Sequence, residues 1–178
     1  MTARPNAAPT SATAKLHSLG MTVQDVAALM NKLDESDRES EAKGRKAPRK
    51  FKRRSYRIAC LPVDLIAPGG ATTAVTMVCR NLSSGGLAAL HNSFLHPGTQ
   101  VHVTLKHVSR GPTVLAAKVT HSQHLKGVVH QVGIKFDQPI KPSDYIKLDQ
   151  LEDWFSLESV PPEELRGCLV VVGTSEIE

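Results

Sequence analysis

Two arginines four residues apart, Arg53 and Arg57, lie at the end of the most basic stretch of the 178-residue chain. Nine of its 22 lysines and arginines fall between Lys43 and Arg57, and no acidic residue interrupts them. A guanidinium group can bind phosphate through two hydrogen bonds, bind the O6/N7 edge of guanine, or stack on a base. The pair therefore suggests a site for a guanine nucleotide. The alternative is a solvated basic linker, which is what most charge runs are.

A second polar stretch, Asn81-Leu82-Ser83-Ser84-Gly85-Gly86, follows between two runs that alternate like β-strands. Serine, asparagine and glycine form tight connections in which the backbone and short side chains can approach a polar ligand closely. Taken alone, the stretch predicts a loop, and loops of this composition are common. Its place after the arginine pair makes it a candidate ligand-binding loop.

An RxxxR pair followed by an NxSxxG loop resembles the PilZ domain, a bacterial receptor for cyclic di-GMP. The residues that carry the resemblance are Arg53, Arg57, Asn81, Ser83 and Gly86. The sequence Val-Gly-Ile-Lys-Phe at 132–136 is also similar to the end of the last PilZ strand. The resemblance covers roughly residues 50–140.

The resemblance implies a non-enzymatic receptor whose ligand is cyclic di-GMP, bound either singly or as a stacked pair. The arginines would contact phosphate and the guanine edge, and Asn81 and Ser83 would hydrogen-bond the other guanine. Gly86 would keep the loop low so that a purine can lie against it. Lys52 and Arg54 flank the motif and are further candidates for phosphate contacts, without a family role.

Six short segments with period-two alternation, separated by turn signals, predict a mainly β fold. They are residues 61–65, 71–82, 87–91, 101–105, 113–122 and 132–136. This spacing is typical of a small antiparallel barrel or sandwich. With the resemblance, we expect a six-stranded antiparallel PilZ-like β-barrel over residues 53–140, flanked by an N-terminal and a C-terminal helix.

The flanking segments differ sharply in composition. Residues 1–21 predict disorder, and residues 22–42 an amphipathic helix that Thr22 caps and whose second half is acidic. A basic linker, 43–52, leads into the barrel. Residues 141–178 predict a helix from Ser143 to about Leu157 and a tail, in which the short apolar run from Leu169 to Val172 is a candidate strand.

Composition narrows the classes of function. Aromatic residues make up 4% of the chain, which argues against stacking platforms for single-stranded nucleic acid, and the net charge of +5 comes mainly from one segment. His121 and His124, three apart in a predicted strand, should lie on opposite faces, so no metal site is expected. No catalytic motif and no membrane-spanning run is evident. Three widely spaced cysteines argue against a disulfide framework and favour the cytoplasm.

Two functional hypotheses remain open from the sequence. In the first, cyclic di-GMP orders the basic arm, and the arm repositions the N-terminal helix toward an unidentified downstream protein or a second copy in a homodimer. In the second, a degenerate, ligand-free PilZ-like module uses its basic arm to contact protein or nucleic acid. A receptor should discriminate guanine from adenine, whereas a basic arm should bind polyanions generally and lose them with salt.

Overall fold

The computed structural model describes residues 14–16, 18–44, 50–146 and 169–171. Six antiparallel strands form its centre: β3 (Arg54–Ile66), β4 (Thr72–Ser83), β5 (Gly86–His91), β6 (Gln100–His107), β7 (Gly111–Lys126) and β8 (Val129–Phe136). They close into a ring in the order β3-β4-β5-β8-β7-β6. The predicted mainly β fold of six antiparallel strands is therefore confirmed.

Alternation along the strands separates two hydrophobic clusters, because successive side chains point to opposite faces of a sheet. The interior of the ring is filled by side chains such as Leu61, Met77, Val103, Val132 and Phe136. Ala59, Val78, Leu90 and Val129 belong instead to the second cluster, on the outer face of β3, β4, β5 and β8.

Helix α1 (Val23–Ala42) packs on that outer face. Its buried stripe consists of Val23, Val26 and Met30. Thr22 is the N-cap, and its hydroxyl oxygen accepts a hydrogen bond from the amide of Asp25 at 3.1 Å, as its sequence position predicts. The helix is long and polar at its second half, and no helix in the part of the chain that the structure describes could cross a membrane.

A small second sheet corrects the prediction that residues 1–21 are wholly disordered. Strand β1 (Ala14–Leu16) pairs with β2 (Met21–Thr22) and with β9 (Leu169–Val171), all antiparallel. The turn between β1 and β2 includes Gly20 at φ 64°, a conformation that glycine adopts without strain. The sequence offered a strand at the apolar run from Leu169 to Val172, where β9 lies, but it gave no sign that this strand pairs with the N-terminal segment.

The C-terminal flank is described only in part. Pro142–Asp144 form a single 3₁₀ turn, so the helix predicted to start at Ser143 does not begin there as an α-helix. Proline at its first position explains the tight turn, because it fixes φ and has no amide proton to donate. The rest of the predicted helix, through Leu157, lies outside the described residues.

The cysteines also depart from expectation. Cys60 forms a disulfide, whereas Cys79 is a buried free thiol whose pKa burial raises to about 12. Wide spacing along the chain does not limit which cysteines a fold brings together.

Candidate ligand-binding site

A cavity of about 370 Å³ opens where the β4–β5 connection meets β7 and β8, beneath the segment that leads into β3. It is lined by Lys50, Phe51, Arg53, Ser83, Gly85, Gly86, Leu87, Thr120, His121, Gly133, Ile134 and Lys135. Three of these, Lys50, Arg53 and Lys135, are cationic, and none is acidic. Its volume is within the range of small-molecule sites, and its charge suits an anionic ligand.

The floor of the cavity is the tight β4–β5 connection. The Ser83 hydroxyl donates to the carbonyl oxygen of Gly86 at 3.0 Å. The carbonyl of Gly85 accepts from the amide of Phe136 at 2.9 Å, and that of Ser84 accepts from the amide of Ile140 at 2.8 Å. The connection is therefore held rigidly against β8 and the segment after it, so it offers a ligand a preformed surface.

Gly86 has a structural reason for lacking a side chain. It pairs with Lys135 across β5 and β8, and a Cβ at this position would overlap the carbonyl oxygen of Ile134. Gly86 was expected to keep the loop low for a purine. The structure gives it a separate role in strand packing. A variant at Gly86 perturbs the fold before it tests the ligand.

We therefore predict that Gly86→Ala destabilises the domain by about 1–3 kcal/mol, as overpacking against an immobile backbone typically does. Gly69→Ala is the matched control, because a Cβ there has nothing within 4 Å. Urea denaturation of both variants measures the free energy of unfolding. Equal stability of Gly86→Ala and Gly69→Ala would contradict the packing role.

Phe51 covers the neighbouring glycine. A Cβ on Gly85 would lie 2.6 Å from the Phe51 ring, so the ring rests directly on the loop backbone. The ammonium group of Lys50 is 5.4 Å from the centre of the same ring, a cation–π contact. The segment preceding β3 is thereby anchored to the loop, which brings Arg53 to the cavity.

The opposite wall is formed by β7 and β8, where a register shift lies between Val119 and His121. His121 is seated on Gly133, since a Cβ there would overlap the imidazole. The Thr120 hydroxyl is 3.2 Å from His121 Nδ1. Burial lowers the pKa of His121, and the positive charge of Arg53 lowers it further.

The predicted site residues divide into two groups. Arg53, Ser83 and Gly86 line the cavity together. Arg57, Asn81, Lys52 and Arg54 are not part of its lining. Lys52 and Arg54 are exposed on either side of Arg53, and Asn81 is 7% exposed, with Oδ1 making no hydrogen bond within the described part of the chain.

Arg57 contacts helix α1 instead. One of its terminal nitrogens, Nη2, donates to Asn31 Oδ1 and to Asp34 Oδ2, each at 2.8 Å, and the residue is only 8% exposed. The second predicted arginine is therefore held by an acidic residue of the N-terminal helix rather than by the cavity.

Arg80 completes a buried ionic network that sequence reasoning missed. It is 2% exposed and donates from Nε to Asp34 Oδ1 at 2.8 Å, from Nη2 to Asp37 at 2.9 Å and from Nη1 to Gln131 at 2.7 Å. Asp34 thus joins Arg57 on β3 to Arg80 on β4. Pairing of this kind is what allows charged groups to be buried at all.

His124 and His121 lie in different surroundings. His124 stacks edge-on against His130, with ring centres 5.2 Å apart, whereas His121 lines the cavity. No group of three or more metal-ligating side chains occurs within residues 14–16, 18–44, 50–146 and 169–171.

The sequence matches the family model of the PilZ domain over residues 49–154, more than half of the chain. The chain belongs to the PilZ domain family. The match includes the RxxxR and NxSxxG positions and all six strands of the ring. The family expected from the two motifs is therefore confirmed.

Two solved PilZ structures from Escherichia coli show similarity to this chain. The PilZ domain of YcgR with c-di-GMP is 17% identical, with a TM-score of 0.39, over 60% of this chain and 87% of that one. YcgR in complex with c-di-GMP is 19% identical, with a TM-score of 0.39, over 67% of this chain. The chain spans about half, 48%, of that longer protein. No curated protein matches the chain in sequence.

Proposed function

We propose that this PilZ domain is a receptor for cyclic di-GMP and binds it in the cavity between the β4–β5 connection and β7–β8. The observation that carries the proposal is the convergence of Arg53 with Ser83 and Gly86. These residues come from distant parts of the sequence and line one cavity. They belong to both halves of the signature that the family uses for this ligand.

The charged and polar groups of the lining match the parts of a guanine dinucleotide. Arg53 supplies a guanidinium for phosphate or for the O6/N7 edge of guanine. Ser83 and the rigid loop backbone form the polar surface against which a base lies. Lys50 and Lys135 add positive charge, which favours the two phosphates. These steps need only binding, and we propose no catalysis.

We further propose that Arg57 is the element that relays binding. In the structure it is paired with Asp34 of α1. A ligand phosphate offers the same guanidinium a competing partner, so ligand and helix compete for one side chain. If the Arg57 side chain moved from Asp34 to the ligand, Asp34 would pair with Arg80 alone, and helix α1 would be held less tightly against the ring of strands. The surface so altered would pass the signal to a downstream protein or to a second copy of the chain.

One observation favours the alternative function of a ligand-free interaction module. One arginine of the pair, Arg57, is buried in an ion pair with Asp34, as it would be in a domain that no longer binds nucleotide. In that case, the exposed residues Lys52 and Arg54 would serve as part of a basic arm for a polyanionic partner.

Calorimetric titration at two salt concentrations distinguishes the two functions. The receptor predicts saturable binding of cyclic di-GMP, much weaker binding of cyclic di-AMP, and a shallow salt dependence. The interaction module predicts no preference for guanine and a steep loss of polyanion affinity with salt. Equal affinity for both dinucleotides would overturn the proposed function.

A further inference from the structure

Among the described residues that line the cavity, His121 is the one whose charge can change near neutral pH. It lies on β7, opposite the arginine signature, and neither of the two motifs includes it. The side chain is exposed at the cavity wall, so a ligand in the cavity can reach it.

The placement of the imidazole is built into the strand pair. Its ring lies over Gly133, where any larger residue would displace it. The Thr120 hydroxyl, 3.2 Å from Nδ1, restrains the ring further. The same threonine donates to the carbonyl oxygen of Gly133 at 3.1 Å, which ties it to β8. The ring is thus held at the cavity by residues of two strands.

We propose that His121 binds a phosphate of the ligand as an imidazolium and so couples ligand binding to proton uptake. This inference rests on the proposed function, because the ligand used is cyclic di-GMP. A histidine in this place adds a phosphate contact from β7, beside the one that Arg53 offers from the segment before β3.

Charges around the ring explain why the proton arrives with the ligand. Arg53, from the segment before β3, acts electrostatically on the ring. Lys50 from the same segment and Lys135 from β8 line the same cavity, and Thr120 lies beside His121 on β7. No carboxylate of the described residues lines the cavity to offset these charges. In the absence of ligand, partial burial of the ring and, after it, the positive charge of Arg53 lower the pKa of His121 and favour the neutral imidazole.

A bound phosphodiester reverses that balance. Its negative charge offsets that of Arg53, and one of its oxygens accepts a hydrogen bond from the protonated ring. The pKa of His121 therefore rises in the complex. By linkage, affinity then increases as pH falls through the pKa values of the free and the bound imidazole. A rise of one pKa unit corresponds to about a tenfold gain in affinity across that range.

Calorimetric titration with cyclic di-GMP at pH 5.5, 6.5 and 8.0 and constant ionic strength tests the proposal. Wild type should bind about tenfold more tightly at pH 5.5 than at pH 8.0. Its binding enthalpy near pH 6.5 should depend on the ionisation enthalpy of the buffer, which reports proton uptake. His121→Gln keeps a polar side chain but cannot titrate, so its affinity should be lower at pH 5.5 and nearly independent of pH.

His124→Gln is the matched control, because this histidine lies on the same strand but outside the cavity, and it should retain the wild-type pH dependence. If wild type binds but His121→Gln shows the same pH profile and proton uptake, the role of His121 is wrong while the proposed function stands. If wild type binds cyclic di-GMP at no pH, both fall. Should His121→Gln fail to fold, the buffer dependence of wild type alone decides, and its absence overturns the proposal.

Discussion

Arg53→Ala is expected to weaken cyclic di-GMP binding by about 1.5–3 kcal/mol, the usual cost of losing hydrogen bonds to a charged group. Arg53 is the arginine of the pair that lines the cavity, and its side chain is exposed. Stability should therefore change little, because the substitution removes no buried group. Calorimetry gives the affinity and thermal unfolding gives the stability.

Arg54→Ala is the matched control for this experiment. It removes the same charge from the neighbouring position, which is exposed and not part of the cavity lining. Its effect on affinity should be much smaller and should disappear at high salt. Equal losses in the two variants would show that the arm contributes only general positive charge.

Asp34→Asn is expected to have the second large effect, with opposite signs on stability and on binding. The Asp34 carboxylate contacts both Arg57 and Arg80, which are almost fully buried. Breaking a buried ion pair by changing one partner typically costs about 3–5 kcal/mol. Total stabilities of domains are about 5–15 kcal/mol, so the midpoint of thermal unfolding should fall clearly.

The same substitution should strengthen cyclic di-GMP binding if helix and ligand compete for Arg57. Coupling energies between sites are typically about 1–3 kcal/mol, and a gain of that size is expected. Glu35→Gln, an exposed neighbour on the same helix, controls for the change of charge. If Asp34→Asn does not fold, Asn31→Ala removes a milder contact to Arg57 and should give a smaller gain. Unchanged affinity in a folded variant would rule out the competition.

Arg57→Ala cannot separate these effects. It would remove a candidate ligand contact and the helix contact to Asp34 at once. The resulting affinity would combine a loss at the site with a gain from the freed helix. The Asp34 and Asn31 variants leave the arginine in place and are therefore the more informative experiments.

The strands and the family could be predicted because their signals are local. Alternation at residues such as Leu61, Val63 and Val101 follows directly from the two-residue period of a strand that buries one face. Likewise, RxxxR and NxSxxG have fixed spacings that can be recognised without coordinates. The cap at Thr22 is also a local feature and is confirmed.

The cavity itself depended on contacts between distant segments. His121 and Gly133 meet only because β7 pairs with β8, and a glycine that seats a ring has no distinctive sequence pattern. Phe51 is an aromatic residue just before the arginines, but nothing in the sequence shows that its ring covers the loop at Gly85. These residues could be found only after the strands had been placed.

The burial of Arg57 against helix α1 could not be predicted from the sequence, and the reason is electrostatic. From the sequence alone, the acidic stretch from Asp34 and the basic arm would be exposed charges, and such charges attract each other only weakly. The structure instead buries Arg57 and Arg80 against Asp34, which makes the interaction specific. Nothing in the alternation of β4 distinguishes Arg80 from an exposed arginine.

The measurement that tests the central claim most directly is an amide NMR titration of the full chain with cyclic di-GMP. The account predicts saturable shifts at Gly85, Gly86 and Gly133, which surround the cavity, and smaller shifts at Asp34 as α1 loses Arg57. Cyclic di-AMP at the same concentration should leave them nearly unchanged. An absence of shifts at those glycines with saturating cyclic di-GMP would contradict the account.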